Sequence, residues 1–201
     1  MAGPTNGTRR VTSDDTSRVS TVIGVIVATV LIGGVVYFFF FAHAKIQEVV
    51  GFDPNRPIPS DSVLRARLKA DQYHVVRENG TETGFQNEYW NNDRAGIYVD
   101  VIDGEPLFTS LDKIDGGTGR PTFTKPIDKN SLTSREDNSF DMKRIEVRAK
   151  RSDAHLGHWF ADPTSPTGER YAVNSAAFRF VPLERMESEH YRQYLSLFDK
   201  K

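Results

Sequence analysis

The chain has 201 residues, with Lys+Arg 26 against Asp+Glu 27 and a formal net charge of −1. This length allows one ordinary domain with appendages. The small net charge gives no strong field that would attract nucleic acid or an acidic substrate, so we expect no nucleic-acid partner. The sequence contains no cysteine, which excludes disulfides, thiolate metal sites and catalysis by a thiol of this chain.

The N-terminal region divides into a polar tail and a long apolar segment. Residues 1–18 are rich in Thr, Ser, Gly, Asp and Arg and lack apolar periodicity, which predicts a flexible tail. From Val19 to Ala42 no residue is charged, and about 20 apolar residues cross a bilayer as a helix. We therefore predict a single-pass transmembrane helix with its extension over residues 19–50. The alternative is a cleaved signal peptide, although its apolar core would usually span only about 7–15 residues.

Basic residues around the apolar segment predict its orientation. Arg9, Arg10 and Arg18 precede the segment. Lys45 follows it. Because basic residues favour the cytoplasmic side, we expect a cytoplasmic N-terminus in the cell (inner) membrane and a periplasmic or extracellular C-terminal domain.

The rest of the chain divides into a linker, a domain and a tail. Residues 51–62 contain Pro54, Pro57 and Pro59, which is typical of a semi-stiff linker. Residues 63–183 are predicted to form a β-domain, since short apolar runs bounded by turn residues follow one another. Residues 184–201 form a predicted helical tail.

Local patterns predict the elements of this domain. Ser60 or Asp61 is expected to begin a short helix. Predicted strands then cover residues 73–76, 96–102, 144–148 and 176–181. Residues 183–198 place apolar side chains at near-helical spacing, which predicts an amphipathic helix that packs on its own domain.

Two segments near the C-terminal end carry a family resemblance. Residues 154–162 contain His155-Leu156-Gly157-His158, and residues 168–175 read Gly168-Glu169-Arg170-Tyr171-Ala172-Val173-Asn174-Ser175. Further matching blocks precede them in the family's order: residues 80–82, 87–90, 96–99, 104–108, 113–123 and 144–148. The chain resembles the B-type methionine sulfoxide reductases, the peptide-methionine (R)-S-oxide reductases with a SelR domain. The resemblance implies an all-β core of two antiparallel sheets around a shallow substrate groove.

The chain departs from this family at the implied active site. Where the family has its nucleophilic cysteine, this chain has Ala172, which cannot attack a sulfoxide sulfur. Thr118 stands where a resolving cysteine often lies. Arg120 replaces a tryptophan that faces the substrate methyl group, and Phe140 replaces a histidine. The family resemblance therefore implies a degenerate pocket.

The zinc positions of the family are also changed. Many members bind structural zinc through two Cys-x-x-Cys pairs. The positions that correspond here are Asp100, Asp103, Ala149 and Ser152. We expect no metal site, and we interpret the two aspartates as solvated turn residues.

Other pocket residues of the family are present. The retained polar residues are His155, His158, Arg170 and Asn174. In active relatives the histidines and the asparagine orient and protonate the sulfoxide oxygen. The pair His155 and His158 could suggest a metal, but no third ligand is evident, so no cofactor is expected.

Three functional hypotheses follow. The first is a catalytically inactive domain that serves as a single-span accessory subunit, with other subunits of an integral membrane complex, photosynthetic or respiratory, as partners in the lipid bilayer. The second is a peptide-methionine (R)-S-oxide reductase with its nucleophile replaced by Ala172. The third is a binder of oxidised methionine, against which Arg120 argues because it puts a cation where an apolar wall is needed. The first hypothesis predicts that the chain is not an enzyme.

Overall fold

The structure, a computed structural model, describes residues 50–199. The predicted N-terminal tail and the apolar segment before residue 50 lie outside the described residues. Among residues 50–199, no helix is long and apolar enough to span a membrane. The predicted transmembrane helix therefore stays a prediction.

Two short helices open the described region. Helix α1 covers Asp61–Arg67, directly after Ser60, and buries Leu64. Helix α2 covers Ala70–Glu78 and ends at Asn79, which has a left-handed φ of 56°. The helix start predicted at Ser60 or Asp61 is confirmed.

The strand predicted for residues 73–76 is wrong, because these residues lie within α2. The side chain of Gln72 accepts a hydrogen bond from the Lys69 amide at 3.1 Å and so supports the first turn. Tyr73, Val75 and Val76 are buried on this helix. Packing of this apolar surface outweighs the strand propensity of a short β-branched run.

A three-stranded antiparallel sheet has the strand order β2-β1-β9. Its strands are β1 (Gly96–Asp100), β2 (Pro106–Thr109) and β9 (Phe178–Pro182). All five residues of β1 are buried. This sheet is therefore covered on both faces.

A six-stranded antiparallel sheet has the order β3-β4-β8-β7-β6-β5. The strands are β3 (Lys113–Ile114), β4 (Thr122–Phe123), β5 (Leu132–Asp137), β6 (Arg144–Ala149), β7 (His155–Ala161) and β8 (Glu169–Val173). The predicted all-β core of two antiparallel sheets is confirmed.

The main core lies between the two sheets. The rings of Phe108 on β2 and Phe123 on β4 stack with their centroids 4.6 Å apart. Tyr98 on β1 packs edge-on against Phe123 at 5.0 Å. Tyr171 and Val173 of β8 belong to this cluster. Since side chains alternate along a strand, Ala172 points to the opposite face of the six-stranded sheet.

A second apolar cluster covers the outer face of β1 and β9. Met186 and Tyr191, both fully buried, pack there against Ile97, Val99 and Val181. The predicted packing of this C-terminal region on its own domain is confirmed.

The amphipathic helix predicted for residues 183–198 is wrong. The segment instead forms 3-10 turns at Leu183–Arg185 and Arg192–Leu197. His190 between them has a φ of 64°, which interrupts helical geometry. The hydroxyl of Tyr191 donates to the carbonyl of Gly104 at 2.9 Å, so tertiary contacts determine the path of this segment.

The Pro-rich segment before α1 contacts the domain at several points. Phe52 packs on the second apolar cluster, and Ile58 packs on the main core. The guanidinium of Arg151 donates to the carbonyl oxygens of Pro54 and Arg56. These contacts attach residues 52–58 to the β-domain.

Candidate functional site

The candidate site lies on the outer face of the six-stranded sheet. In the strand register, Ala172 pairs with Thr122 on one side and His158 on the other, and His158 pairs with Glu146. Directly paired residues share one face of a sheet. Ala172, His158 and Glu146 therefore lie in one row across three neighbouring strands.

His155 is fixed by a carboxylate on the adjacent strand. Its Nδ1 donates to Glu146 Oε1 at 2.6 Å, and the guanidinium of Arg148 donates to the same oxygen at 2.6 Å. Burial lowers the pKa of His155, although Glu146 opposes this shift. The ring is therefore neutral at neutral pH, and with the Nδ1 proton directed at Glu146 its Nε2 is the basic nitrogen.

The pKa of Glu146 itself is lowered. Burial would raise it, but the hydrogen bonds from His155 and Arg148 and the charge of Arg148 outweigh burial. Arg148 in turn donates to Asp153 at 2.8 Å. Glu146 is thus an ionised acceptor that holds the His155 ring in place.

His158 has an analogous partner. Its Nε2 donates to Asp137 Oδ2 at 2.7 Å, and Arg144 forms an ion pair with the same carboxylate at 2.6 Å. Hydrogen bonds from the hydroxyl and amide of Ser139, followed by the one from His158, lower the pKa of Asp137. The His155 and His158 rings lie 5.7 Å apart, edge to face. Two carboxylates therefore orient two neighbouring imidazoles.

Asn174 and Glu82 support the strand end that follows Ala172. The Asn174 amide donates to the Leu156 carbonyl at 3.1 Å and accepts from the Glu82 amide at 3.2 Å. The Glu82 carboxylate accepts hydrogen bonds from the Ser175 amide at 2.5 Å and the Ala176 amide at 3.0 Å. Burial raises the pKa of Glu82, although these hydrogen bonds oppose the shift.

Arg170 lies on the same strand and face as Ala172, two residues before it. Its guanidinium pairs with Asp162 at 3.7 Å and lies over the Phe160 ring, 5.2 Å from the centroid. It also donates to the Gly116 carbonyl at 3.3 Å. Arg170 thus links β8, β7 and the turn after β3.

The remaining predicted pocket residues lie in two turns. Thr118 is exposed in the turn before β4, and Arg120 follows it with intermediate exposure. Phe140 lies in the 3-10 turn Ser139–Asp141, which connects β5 to β6. The register thus brings Ala172, His158 and Glu146 together, while Arg120 lies two residues before Thr122, the β4 residue that pairs with Ala172.

Sequence reasoning missed three site residues: Asp137, Glu146 and Glu82. In the sequence, Glu82 has no distinguishing signal beyond its place in the matching block 80–82. Glu146 and Arg148 are two positions apart on a predicted strand. Because side chains alternate between the two faces of a strand, the sequence assigns both to the same face. The hydrogen bond between Glu146 and His155 could not be predicted without knowing the register of β6 against β7.

The four positions that the family resemblance relates to zinc ligands are all buried, and Asp100, Asp103 and Ser152 form a buried polar cluster. The expectation that Asp100 and Asp103 are solvated is wrong, because they are 1% and 2% exposed. Ser152 donates to Asp100 at 2.5 Å, and Arg151 forms an ion pair with Asp103 at 2.6 Å. Ala149 is also fully buried. Within residues 50–199, no group of three or more His, Cys, Asp or Glu residues could hold a metal ion.

Comparison with known proteins identifies the family to which this β-domain belongs. The SelR domain model matches residues 68–182, which is more than half of the chain, and the chain belongs to the SelR domain family. It is also 50% identical over 140 residues to the peptide methionine sulfoxide reductase MsrA/MsrB of Vibrio cholerae serotype O1. The match covers 70% of this chain and 37% of that protein, so the chain spans little more than a third of its relative.

The expectation that the chain is not an enzyme is contradicted by this comparison. A relative that is 50% identical over 140 residues is named as a peptide methionine sulfoxide reductase, and this points to an enzyme. The expected role as an inactive accessory subunit is replaced by the reductase hypothesis.

Proposed function

We propose that the chain is a peptide-methionine (R)-S-oxide reductase that uses a thiol from outside the chain. The observation that carries the proposal is the row formed by Ala172, His158 and Glu146, with His155 held beside it. The named relative and the SelR match support the substrate class. The chain contains no cysteine, so the reducing equivalents are supplied by a second molecule.

The proposed reaction balances with two thiols. In the first step, one thiol sulfur takes the oxygen of the sulfoxide, which leaves a thioether and a sulfenic acid. In the second step, another thiol attacks the sulfenic acid sulfur, forms a disulfide and releases water. The net change is one sulfoxide and two thiols to one thioether, one disulfide and one water.

The side chains of the site fit proton transfer in this reaction. The attacking species is the thiolate, so the thiol proton must be accepted by a base. In our proposal neutral His155 accepts this proton at Nε2 and returns it to the oxygen. Glu146 stabilises the imidazolium that forms in between, and Asp137 orients His158. The external thiol reaches the sulfoxide at the sheet position of Ala172, which is 7% exposed.

The test measures reduction of a blocked peptide that contains methionine (R)-sulfoxide, with the (S)-sulfoxide as the stereochemical control. The full chain is incubated with peptide and dithiothreitol, and the methionine product is quantified by chromatography. We expect faster reduction of the (R)-peptide than with dithiothreitol alone. An Ala172→Cys variant should increase the rate roughly 100-fold or more, because the thiol then attacks within the complex.

A cysteine elsewhere on the same sheet provides the matched control. Ala149 is a buried alanine on β6 that faces the core. Ala149→Cys should leave the rate at the level of the unchanged chain. If only Ala172→Cys reduces the peptide, the external-thiol proposal fails, and titration of the unchanged chain shows whether its site binds the sulfoxide without reducing it. If neither protein binds or reduces it, the substrate class is wrong.

We also propose, from the sequence alone, that the domain is anchored in the cell membrane with its N-terminus in the cytoplasm and other membrane subunits as partners. The uncharged segment from Val19 to Ala42 supports the anchor. Extraction of native membranes with carbonate and then with mild detergent, followed by size separation, tests both points. Release by carbonate would contradict the anchor, and migration as a lone chain would contradict the partners.

A further inference from the structure

Arg120 lies beside the proposed reaction site. The next residue, Pro121, accepts a hydrogen bond from the Val173 amide at 3.0 Å. Thr122, two residues after Arg120, pairs with Ala172. The backbone of Arg120 is therefore tied to the strand segment that contains Ala172 and Val173.

The charge of Arg120 is not neutralised by a direct partner in the described part of the chain. Its Nε is buried without a hydrogen-bond partner, and none of the ion pairs found among residues 50–199 includes Arg120. The positive charge of Arg120 acts to lower the pKa of Glu82. Both Glu82 oxygens accept backbone hydrogen bonds, and among residues 50–199 no ion pair joins Glu82 to Arg120. The guanidinium of Arg120 is therefore available to an anion from a bound substrate.

An exposed aromatic pair flanks the same turn. Phe85 and Trp90 are 59% and 36% exposed, and their rings meet edge to face at 5.3 Å. The Phe85 amide donates to the carbonyl of Gly119, the residue before Arg120, at 2.7 Å. The turn thus presents a cation next to apolar surface. A peptide that offers an apolar contact and a carboxylate would match both features.

We infer that Arg120 selects methionine sulfoxide substrates that carry a carboxylate next to the oxidised residue. This inference rests on the proposed function, because it names the substrate class of the same site. The carboxylate comes from an acidic neighbouring side chain or from the α-carboxylate of a C-terminal methionine sulfoxide. Arg120 acts here as a specificity-determining residue.

The test compares matched peptides on the full chain. Two blocked (R)-sulfoxide peptides differ only by Glu or Gln next to the oxidised methionine. A second pair ends in methionine sulfoxide as a free acid or as an amide. Dissociation constants are measured by calorimetry at low salt and at high salt. We expect a preference of roughly 5-fold for one or both carboxylate-bearing peptides at low salt, and its reduction at high salt.

Substitutions assign the preference to Arg120. Arg120→Gln should abolish the preference while leaving binding of the neutral peptides, and Arg120→Lys should retain part of it. Arg192→Gln is the control, because the Arg192 side chain is 78% exposed in the C-terminal segment. Equal binding of both members in each pair would overturn the inference and leave the proposed function intact. A preference that survives in Arg120→Gln would also overturn it, and absence of binding to any sulfoxide peptide would overturn both.

Discussion

Asp100 offers a test of how the buried polar cluster is stabilised. Its carboxylate accepts hydrogen bonds from Ser152 at 2.5 Å and from the Ile102 amide at 2.7 Å. Burial, together with the charge of Asp103, raises the pKa of Asp100 from 3.8 to about 7. Arg151 binds Asp103 rather than Asp100. Among residues 50–199, ionised Asp100 therefore has no direct ion-pair partner, although the charge of Arg67 acts on it.

The sign of the effect on stability follows from proton binding. Between pH 4 and 7 the folded chain keeps a proton on Asp100 that the unfolded chain releases, so this residue lowers stability as the pH rises. A shift of about 3 units corresponds to at most about 4 kcal/mol at 1.36 kcal/mol per unit. Local relaxation and water entry reduce this value, so we expect about 1–4 kcal/mol at pH 8.

The substitution Asp100→Asn removes this ionisation with little change in shape. The amide oxygen can still accept from Ile102, and the amide nitrogen can donate to the Ser152 hydroxyl. We expect the variant to be about 1–4 kcal/mol more stable than the unchanged chain at pH 8 and nearly equal at pH 4. Urea unfolding followed by circular dichroism at pH 4, 6 and 8 gives the difference.

The comparison between variants isolates Asp100 from the other titrating groups. Glu146 and Asp137 have lowered pKa values and contribute stability in the opposite sense as the pH rises, but they contribute equally to both proteins. Asp115→Asn, which removes an exposed carboxylate from a turn, is the matched control. A stability difference for Asp100→Asn that stays constant from pH 4 to 8 would refute the reasoning.

Three further substitutions test the fold and the site. Gly157→Ala should destabilise the domain by about 3 kcal/mol or more in urea unfolding, because the added Cβ would overlap backbone atoms of β8. Tyr191→Phe should cost about 1–2 kcal/mol in the same assay, since it leaves the Gly104 carbonyl without its hydroxyl donor. Glu146→Gln should lower the pKa of His155 further, because burial remains while the opposing carboxylate is lost, and NMR titration of the ring measures this; an unchanged pKa would refute the pairing.

Parts of the fold were predictable from short-range pattern. The alternation of apolar and charged residues over positions 144–148 predicted a half-buried strand, and β6 covers Arg144–Ala149. Residues 73–76 gave a similar signal but lie within α2, because a run of four residues fits either element. The C-terminal segment had helical spacing, yet the left-handed His190 and the burial of Tyr191 override it. Tertiary contacts decide such short or irregular segments.

The site was predictable in composition but not in its hydrogen-bond partners. The motif positions identified His155 and His158, which do lie close together. Their carboxylate partners come from other strands, and Asp137 is separated from His158 by 21 positions. The buried carboxylate of Asp100 accepts a hydrogen bond from Ser152, which is 52 positions away. Such pairings follow from strand register, which composition and local spacing do not specify.

The support of the site is independent of the side chain at position 172. The hydrogen bonds that fix His155, His158 and Asn174 end on Glu146, Asp137 and backbone groups. Ala172 is 7% exposed on the face opposite the core. A single added sulfur atom there would not displace core side chains, so Ala172→Cys should change stability by less than about 1 kcal/mol.

Urea unfolding of this variant under reducing conditions, beside the unchanged chain, measures this directly. A loss above about 2 kcal/mol would mean that the alanine methyl is a required part of the packing rather than a position open to a thiol. Unchanged stability together with a large gain in reduction would show that position 172 can hold a thiol without disturbing the packing of the site. If the unchanged chain also reduces the peptide faster than dithiothreitol alone, the chain supplies the oriented imidazoles and the substrate site, and a thiol from outside supplies the electrons.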